Sequence, residues 1–242
     1  MSDGLLRPGD APPVEPLARC DYAAASAGKR EILDRAFDRF RETRWKRHEY
    51  EGFAALNAHW LDDYALFVAL KRSFGGTAWN RWPEELRRRR EEALRAARGR
   101  HALEIEREKF AQFLFFRQWM ALKAYCNDAG VRLFGDIPIY VNFDSADVWR
   151  ESGIFKLDSE NEPRFVSGVP PDYFSETGQL WGNPVYDWDA LRATGYRWWM
   201  ERFAHNLGLF DLVRVDHFRG FVGYWEVPAG ERAAAGGRWV KA

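Results

Sequence analysis

Two opposite charges interrupt an apolar segment near the carboxyl end of the chain. Arg214 and Asp216 lie within Leu209–Phe221, which reads LFDLVRVDHFRGF. If this segment is a β-strand, both side chains lie on one face, about 7 Å apart along the strand. A guanidinium at that spacing would hold Asp216 ionised and oriented, as a carboxylate nucleophile requires. The alternative is a buried ion pair without a catalytic role, although such pairs rarely repay their desolvation.

A second carboxylate follows an earlier apolar strand. Asp136 lies in VRLFGDIPIYV, where we expect the strand to end at Gly135–Asp136. Ligands of parallel α/β folds gather at the carboxyl ends of the strands. Two carboxylates at one rim suit a substrate with many hydroxyl groups. The alternative is an aspartate that only caps a loop.

The third candidate is the aromatic segment Ser167–Trp188, SGVPPDYFSETGQLWGNPVYDW. Its prolines and glycines predict irregular structure, and we expect an irregular region from Asn142 to about Asp189. Aromatic faces stack on sugar rings and amides bind the hydroxyls, which favours sugar binding over an Ω-loop packed by its own rings. The residues that would do this are the aromatic side chains Tyr173, Phe174, Trp181, Tyr186 and Trp188 and the amides Gln179 and Asn183.

The elements that must position these residues are strands and helices in alternation. Apolar periodicity predicts helices through most of the first half and again in YRWWMERFAHNLG, between the two strands. This order predicts parallel strands in an α/β fold. Only two or three credible strands are present, too few to close an eight-stranded barrel.

PEELRRRREEALRAARGR is predicted to form one helix that carries Arg87–Arg90. A nucleic-acid patch is one interpretation of the four arginines. A solvated helix face is the alternative, because Glu84 and Glu85 precede Arg88 and Arg89 by four residues.

Composition excludes several classes of function. The 242 residues carry 36 basic and 36 acidic side chains, which argues against general binding to nucleic acid or anionic membranes. Cys20 and Cys126 match no metal or redox spacing, so we expect free thiols, a cytoplasmic protein, no metal and no cofactor. The Pro-rich start, residues 1–20, is expected to be a flexible leader.

Six segments together resemble the 4-α-glucanotransferases, the amylomaltase or disproportionating-enzyme family (glycoside hydrolase family 77). They are WLDDYALFVALK, FLFFRQW, GDIPIYVNFDSADVW, GVPPDYFSETGQLWGNPVYDW, GYRWWMERF and FDLVRVDHFRGFVGYWEVPAG. Each segment is long and their order matches, which makes the combination specific. The resemblance covers the chain from about Cys20 onward.

The resemblance implies part of a (β/α)₈ TIM-type barrel with large helical insertions, with 21–130 mostly helical and 131–242 forming the partial barrel with its active-site loop. The family transfers α-1,4-glucan segments between malto-oligosaccharides or starch-type and glycogen-type glucans with retention of configuration. Asp216 matches its nucleophile and Arg214 the arginine that orients it. His217 and Asp136 match sugar-contacting residues, and Tyr173, Phe174, Gln179 and Trp181 lie on the loop that arches over the cleft.

The family places its acid/base glutamate and a stabilising aspartate on strands beyond the end of this chain. Glu226 matches a different family position and is a poor substitute. We therefore expect an internal piece of the enzyme that is inactive alone, or active only with complementary fragments, and prone to aggregation. The alternatives are a non-catalytic α-glucan-binding fragment and a retaining α-glucan hydrolase.

Overall fold

The computed structural model describes residues 4–10, 19 and 21–242. Its helices are α1 (Tyr22–Thr43), α2 (Arg47–Leu56), α3 (Ala58–Ser73), α4 (Glu84–Arg87), α5 (Glu91–Arg100), α6 (Ala102–Asp128), α7 (Ala146–Arg150), α8 (Trp188–Ala193) and α9 (Arg197–Leu209). Its strands are β1 (Phe134–Pro138), β2 (Phe165–Val169), β3 (Gln179–Pro184), β4 (Leu212–Asp216), β5 (Gly223–Pro228) and β6 (Arg238–Lys241). Short 3₁₀ turns cover Trp79–Arg81, Ser152–Ile154, Phe218–Phe221 and Ala234–Gly236.

Several helices begin where the sequence supplies a cap. The side chains of Asp21, Ser145 and Asp187 accept hydrogen bonds from backbone N–H groups in the first turns of α1, α7 and α8. Each cap satisfies a donor that the helix itself leaves without a partner. The predicted long helices of the first half are confirmed in α1, α3 and α6.

The chain divides into two compact units. Unit 1 comprises the described residues up to Ala69 together with Arg98–Arg117, and unit 2 comprises Leu70–Ala97 with Gln118–Ala242. The core of unit 1 is aromatic, with the Phe40 and Phe110 rings stacked at 4.6 Å between centroids. The side chains buried in this core are Leu5, Ala36, Phe37, Phe40, Tyr50, Phe110 and Phe113.

Part of the expected leader lies in this core. The backbone carbonyl of Leu5 accepts a hydrogen bond from Arg39 Nη1 at 3.1 Å. Residues 1–3, 11–18 and Cys20 lie outside the described residues. Cys126 is a free thiol, as expected. The proposed boundaries after residues 20 and 130 remain predictions.

The single helix predicted over PEELRRRREEALRAARGR is wrong. The chain forms α4 and α5 instead, and Arg89 between them adopts a left-handed backbone with φ 53°. The break places the Arg89 guanidinium over the ring of Trp149, 4.2 Å from its centroid. Trp149 is fully buried and donates a hydrogen bond to the carbonyl of Leu86. The predicted pairing at a four-residue spacing does form between Glu84 and Arg88.

Unit 2 contains a two-stranded parallel sheet. β1 pairs with β4 in a register that places Asp136 beside Arg214 and Pro138 beside Asp216. The predicted parallel strands are confirmed, although β1 continues past Asp136, which is therefore mid-strand. Gly135 permits close packing here, because a Cβ atom would lie 2.3 Å from the ring of Phe210.

The second sheet of unit 2 is antiparallel, with the order β3-β2-β5-β6. Its first two strands lie in the region from Asn142 to about Asp189 that was predicted to be irregular, so that prediction is wrong for β2 and β3, and also for α7. Glycine and proline are tolerated because β3 is an edge strand. Gly182 adopts φ 78° and Pro184 closes the strand.

A buried carboxylate lies on one face of this antiparallel sheet. Glu226 is fully buried and forms ion pairs with Lys156 at 2.7 Å and Arg238 at 2.7 Å. Burial alone would lower the pKa of Lys156, but the hydrogen bonds and charges of Glu226 and Tyr224 raise it on balance. The antiparallel sheet therefore contains an ionic cluster that is sensitive to alkaline pH.

Alkaline pH is expected to destabilise the protein. Burial raises the pKa of Tyr50 to about 12 and also raises the pKa values of Tyr140 and Tyr186. Because unfolded tyrosine titrates near about 10, these raised values contribute stability below that pH, which is lost as pH rises through the folded values. Urea midpoints measured from pH 8 to pH 11 should fall above about pH 10.

Tyr50→Phe is the matched control, because it removes one of these titrating groups from the core of unit 1. Its alkaline decline in stability should be shallower than that of the unmodified chain. A midpoint that stays constant across this pH range would contradict the prediction.

Among the helices of the described residues, none combines the length and apolar character needed to cross a bilayer.

Candidate functional site

The candidate site is built on one face of the β1–β4 sheet. Arg214 Nε donates to Asp136 Oδ1 at 2.9 Å and its Nη2 donates to Asp136 Oδ2 at 2.6 Å. The same Nη2 reaches Asp216 Oδ1 at 3.3 Å. Strand alternation within β4 brings Arg214 and Asp216 together, and the register between β1 and β4 adds Asp136. The strongest interaction of Arg214 is with Asp136, whose hydrogen bonds and charge, aided by Asp216, raise the pKa of Arg214.

These charged groups are more exposed than the apolar sequence around them suggested. The side chains of Arg214 and Asp216 are 56% and 58% exposed, so within the described residues they do not form the buried ion pair considered from the sequence. The apolar neighbours Phe134 and Leu212 are 66% and 45% exposed. Parallel strands are normally covered on both faces. Within the part of the chain that the structure describes, this face has no covering layer, so Asp216 is accessible to a ligand.

His217 connects this cluster to the antiparallel sheet. Its backbone is left-handed, with φ 51°, and its ring meets the Trp181 ring edge-on at 4.9 Å between centroids. Burial lowers the pKa of His217 and Arg219 lowers it further, against the opposing charge of Asp216. At neutral pH the imidazole is therefore uncharged, with hydrogen-bonding capacity for a hydroxyl group.

Three of the predicted sugar-contacting residues lie on β3. Gln179 and Trp181 are spaced by two, as strand alternation requires, whereas the pairing with β2 is irregular before Asn183 and Gly182 adopts φ 78°. Trp181 Nε1 donates to Gln179 Oε1 at 3.2 Å, and Asn183 Nδ2 donates to the carbonyl of Val141 at 3.0 Å. The contact between Trp181 and His217 places the middle of β3 beside the Asp216 segment.

Tyr173 and Phe174 lie away from this cluster, in the turn between β2 and β3. Both side chains are almost fully exposed, at 106% and 94%. Asp172 shapes the turn, because its Oδ1 accepts hydrogen bonds from the backbone N–H groups of Phe174 and Ser175. Two aromatic faces are therefore presented to solvent on a defined turn, without contacts to Asp216 among the described residues.

Two residues hold the end of β1. Sequence reasoning missed Arg202 and expected Tyr186, like Trp188, among the aromatic side chains that bind sugar, whereas both rings are buried. Arg202 Nη2 donates to the carbonyl of Pro138 at 2.7 Å, and the Tyr186 hydroxyl donates to the carbonyl of Ile139 at 2.7 Å. The Arg202 guanidinium also lies over the rings of Trp198 and Trp199. The signal was a cation on the aromatic face of an amphipathic helix, at three- and four-residue spacing from two tryptophans.

The described residues offer no evident second carboxyl group for acid catalysis beside Asp216. Both oxygens of Asp136 are engaged by Arg214, and Glu226 is buried between Lys156 and Arg238. No cluster of three or more histidine, cysteine or acidic side chains with metal-binding geometry is found in residues 4–10, 19 and 21–242.

Comparison with known proteins gives consistent results. The family model described as 4-alpha-glucanotransferase matches residues 3–242. A 4-alpha-glucanotransferase of Thermus thermophilus is 52% identical over 233 residues, which are 95% of this chain and 46% of that protein. One of Aquifex aeolicus is 48% identical over 228 residues, 94% of this chain and 46% of that protein. The chain thus spans about half the length of these relatives.

Solved structures agree with this comparison. An amylomaltase from Streptococcus agalactiae, solved in complex with acarbose, superimposes with a TM-score of 0.87 at 38% identity. The match covers 92% of this chain and 45% of that protein. An amylomaltase from Corynebacterium glutamicum, at 20% identity and a TM-score of 0.68, supports the fold alone.

Proposed function

Because the chain belongs to the 4-alpha-glucanotransferase family, glycoside hydrolase family 77, we propose that it carries the nucleophile half of a glucan-transfer site. The substrates are α-1,4-glucans and malto-oligosaccharides. The observation that carries the proposal is the accessible Asp216 carboxylate, in contact with Arg214 and beside the Trp181–His217 pair.

The proposed reaction is a double displacement. A carboxylate oxygen of Asp216 attacks the anomeric carbon while the bond to the 4-oxygen of the leaving glucan breaks. The leaving oxygen takes a proton from a second carboxyl group, about 5–5.5 Å from the nucleophile in retaining enzymes. The 4-hydroxyl of an acceptor glucan then attacks the same carbon, releases Asp216 and returns its proton to that second group.

Each residue of the site has a defined part in this reaction. Arg214 orients Asp216 and favours its ionised form by charge and a hydrogen bond. His217, uncharged at neutral pH, binds a sugar hydroxyl, and Trp181 provides a stacking face. Gln179 and Asn183 offer amides from β3, while Tyr173 and Phe174 contact the glucan from the exposed turn.

We further propose that the β1–β4 pair is part of a (β/α)₈ barrel whose other strands cover the exposed face of Phe134 and Leu212. Support comes from the similarity to amylomaltase and from the apolar side chains exposed on that face. The second carboxyl group would come from a segment beyond those described. The chain alone is therefore expected to be inactive.

A chimera tests the proposed function. This chain replaces the matching segment of the Thermus thermophilus relative, and the purified chimera is incubated with maltotriose. Glucose together with a ladder of longer oligomers is expected. A folded, monodisperse chimera that makes no ladder contradicts the proposal, and products that are only shorter than the substrate indicate a hydrolase. The chain alone, assayed in parallel, is expected to make neither.

A further inference from the structure

A cavity of about 420 Å³ lies in unit 2, away from the residues assigned to glucan transfer. It is lined by Arg87, Arg88, Arg89, Arg90, Ser152 and Asn161. The break between α4 and α5 bends the four arginines around this space, so they do not lie along a helix as the sequence suggested. Its volume falls within the range of about 300–1,000 Å³ that is typical of small-molecule sites.

The arginine side chains around the cavity differ in how many contacts they make with the rest of the protein. Arg87 is 14% exposed and its Nη1 donates to the carbonyl and to a carboxylate oxygen of Glu160. The Arg89 guanidinium is stacked on Trp149. Arg90 is exposed, and its side chain forms no hydrogen bond or ion pair with the described residues. The cavity is therefore lined both by guanidinium groups that protein contacts hold in place and by one exposed cation, Arg90, that the described residues do not hold.

Some polar atoms of these lining residues are buried without a hydrogen-bond partner. They include Arg87 Nε, a donor, and Asn161 Oδ1, an acceptor. Buried polar groups in folded proteins are almost always hydrogen-bonded, so each such exception calls for a partner. A donor and an acceptor at one cavity fit a ligand that offers both an anionic oxygen and a hydroxyl group.

We propose that this cavity binds the phosphate monoester of a small sugar. Guanidinium groups match the geometry and charge of a phosphate dianion, and the planar fork of arginine binds two of its oxygens together. The Asn161 amide then accepts a hydrogen bond from a sugar hydroxyl. A long nucleic acid fits less well, because the cavity is small and the formal net charge of the chain is zero.

This site is independent of the proposed glucan transfer, because it uses none of the side chains around Asp216. Loss of binding would leave the transfer proposal intact, and an inactive chimera would leave the phosphate site intact. The two proposals therefore fail in distinguishable ways.

The test is titration calorimetry on the folded chain with glucose 6-phosphate as the probe, with phosphorus NMR of the same mixtures as a second readout. Saturable binding with a Kd below about 1 mM is expected. Inorganic phosphate should bind at least tenfold more weakly, and glucose should not bind measurably.

Two substitutions probe the two ends of the ligand. Arg90→Gln removes a cation that has no structural partner, and Asn161→Gly removes the amide while tolerating the positive φ of 62° at that position. Each is expected to weaken binding of glucose 6-phosphate at least tenfold. Arg197→Gln, an exposed arginine of α9 outside the cavity, is the matched control and should leave Kd unchanged.

Circular dichroism and gel filtration confirm the fold of each variant before titration. Absence of binding at 10 mM glucose 6-phosphate by a folded chain overturns the proposal. Equal affinity for inorganic phosphate together with an unaffected Asn161→Gly variant also overturns it, because the sugar would then play no part. Binding of a short RNA that depends on Arg90, without binding of the sugar phosphate, would assign the cavity to nucleic acid instead.

Discussion

Asp216→Asn is expected to abolish glucan transfer by the chimera while leaving its fold and its affinity for glucan intact. An amide cannot form the glycosyl ester, so turnover of maltotriose should fall at least ~10³-fold. The fold should persist because the Asp216 side chain is 58% exposed and its contact with Arg214 is long, at 3.3 Å. Initial rates from chromatography of the oligomer ladder, with calorimetric binding of maltotriose, measure both effects.

Two controls separate a nucleophile from a merely supporting carboxylate. Asp189→Asn removes an exposed aspartate that also pairs with an arginine, Arg192 at 2.9 Å, and should leave the rate unchanged. Asp216→Ala in the presence of azide should form a glycosyl azide, because azide can attack the anomeric carbon in place of the missing carboxylate. Full turnover by Asp216→Asn would remove this residue from the mechanism.

Glu226→Gln is expected to have the opposite profile, with lost stability and retained activity. The substitution keeps the shape of the side chain but removes the negative charge between Lys156 and Arg238 at a fully buried position. Leaving Lys156, itself only 21% exposed, without its carboxylate should cost about 2–3 kcal/mol of unfolding free energy. Loss of the pairing with Arg238 adds little to this free-energy cost, because Arg238 is 67% exposed and solvent screens its charge.

Urea denaturation of the chain measures the loss, and the maltotriose assay on the chimera measures turnover. Glu201→Gln on α9 is the matched control, since its pairing with Arg197 is long, at 4.0 Å, and partly exposed. The Glu201→Gln substitution should change the free energy of unfolding by no more than about 0.5 kcal/mol. If Glu226→Gln instead lost turnover at unchanged stability, Glu226 would become a candidate for the missing acid.

The charged face of the parallel strands was predictable because it depends on local periodicity. Alternation alone places Arg214 and Asp216 on one side of a strand, and the apolar segments on either side of α9 predict parallel pairing. The partner of Arg214 was not predictable in the same way. Its bidentate contact with Asp136 depends on the register between two strands whose contacting residues are 78 positions apart.

The antiparallel sheet could not be predicted from the sequence, because glycine and proline ordinarily argue against a strand. β3 contains Gly182 and Pro184, and only its position at a sheet edge makes them acceptable. Whether a strand lies at the edge of a sheet depends on the whole sheet, so a short stretch of sequence cannot reveal it. The break in the helix at Arg89 could not be predicted locally either. The Arg89 guanidinium covers the ring of Trp149, which lies 60 positions away in the sequence.

The parallel register between β1 and β4 has a consequence for how such chains can diverge. Asp136 is held opposite Arg214 by backbone pairing, whatever the length of the 139–211 connection between the strands. Loops within that connection can gain or lose residues without changing the spacing of the three charges. A single deletion inside either strand would instead turn the charged row towards the opposite face. Loops of the crossover that contain neither the β3 residues nor Tyr186 and Arg202 can therefore be remodelled, whereas an insertion or deletion inside β1 or β4 would move the charged groups.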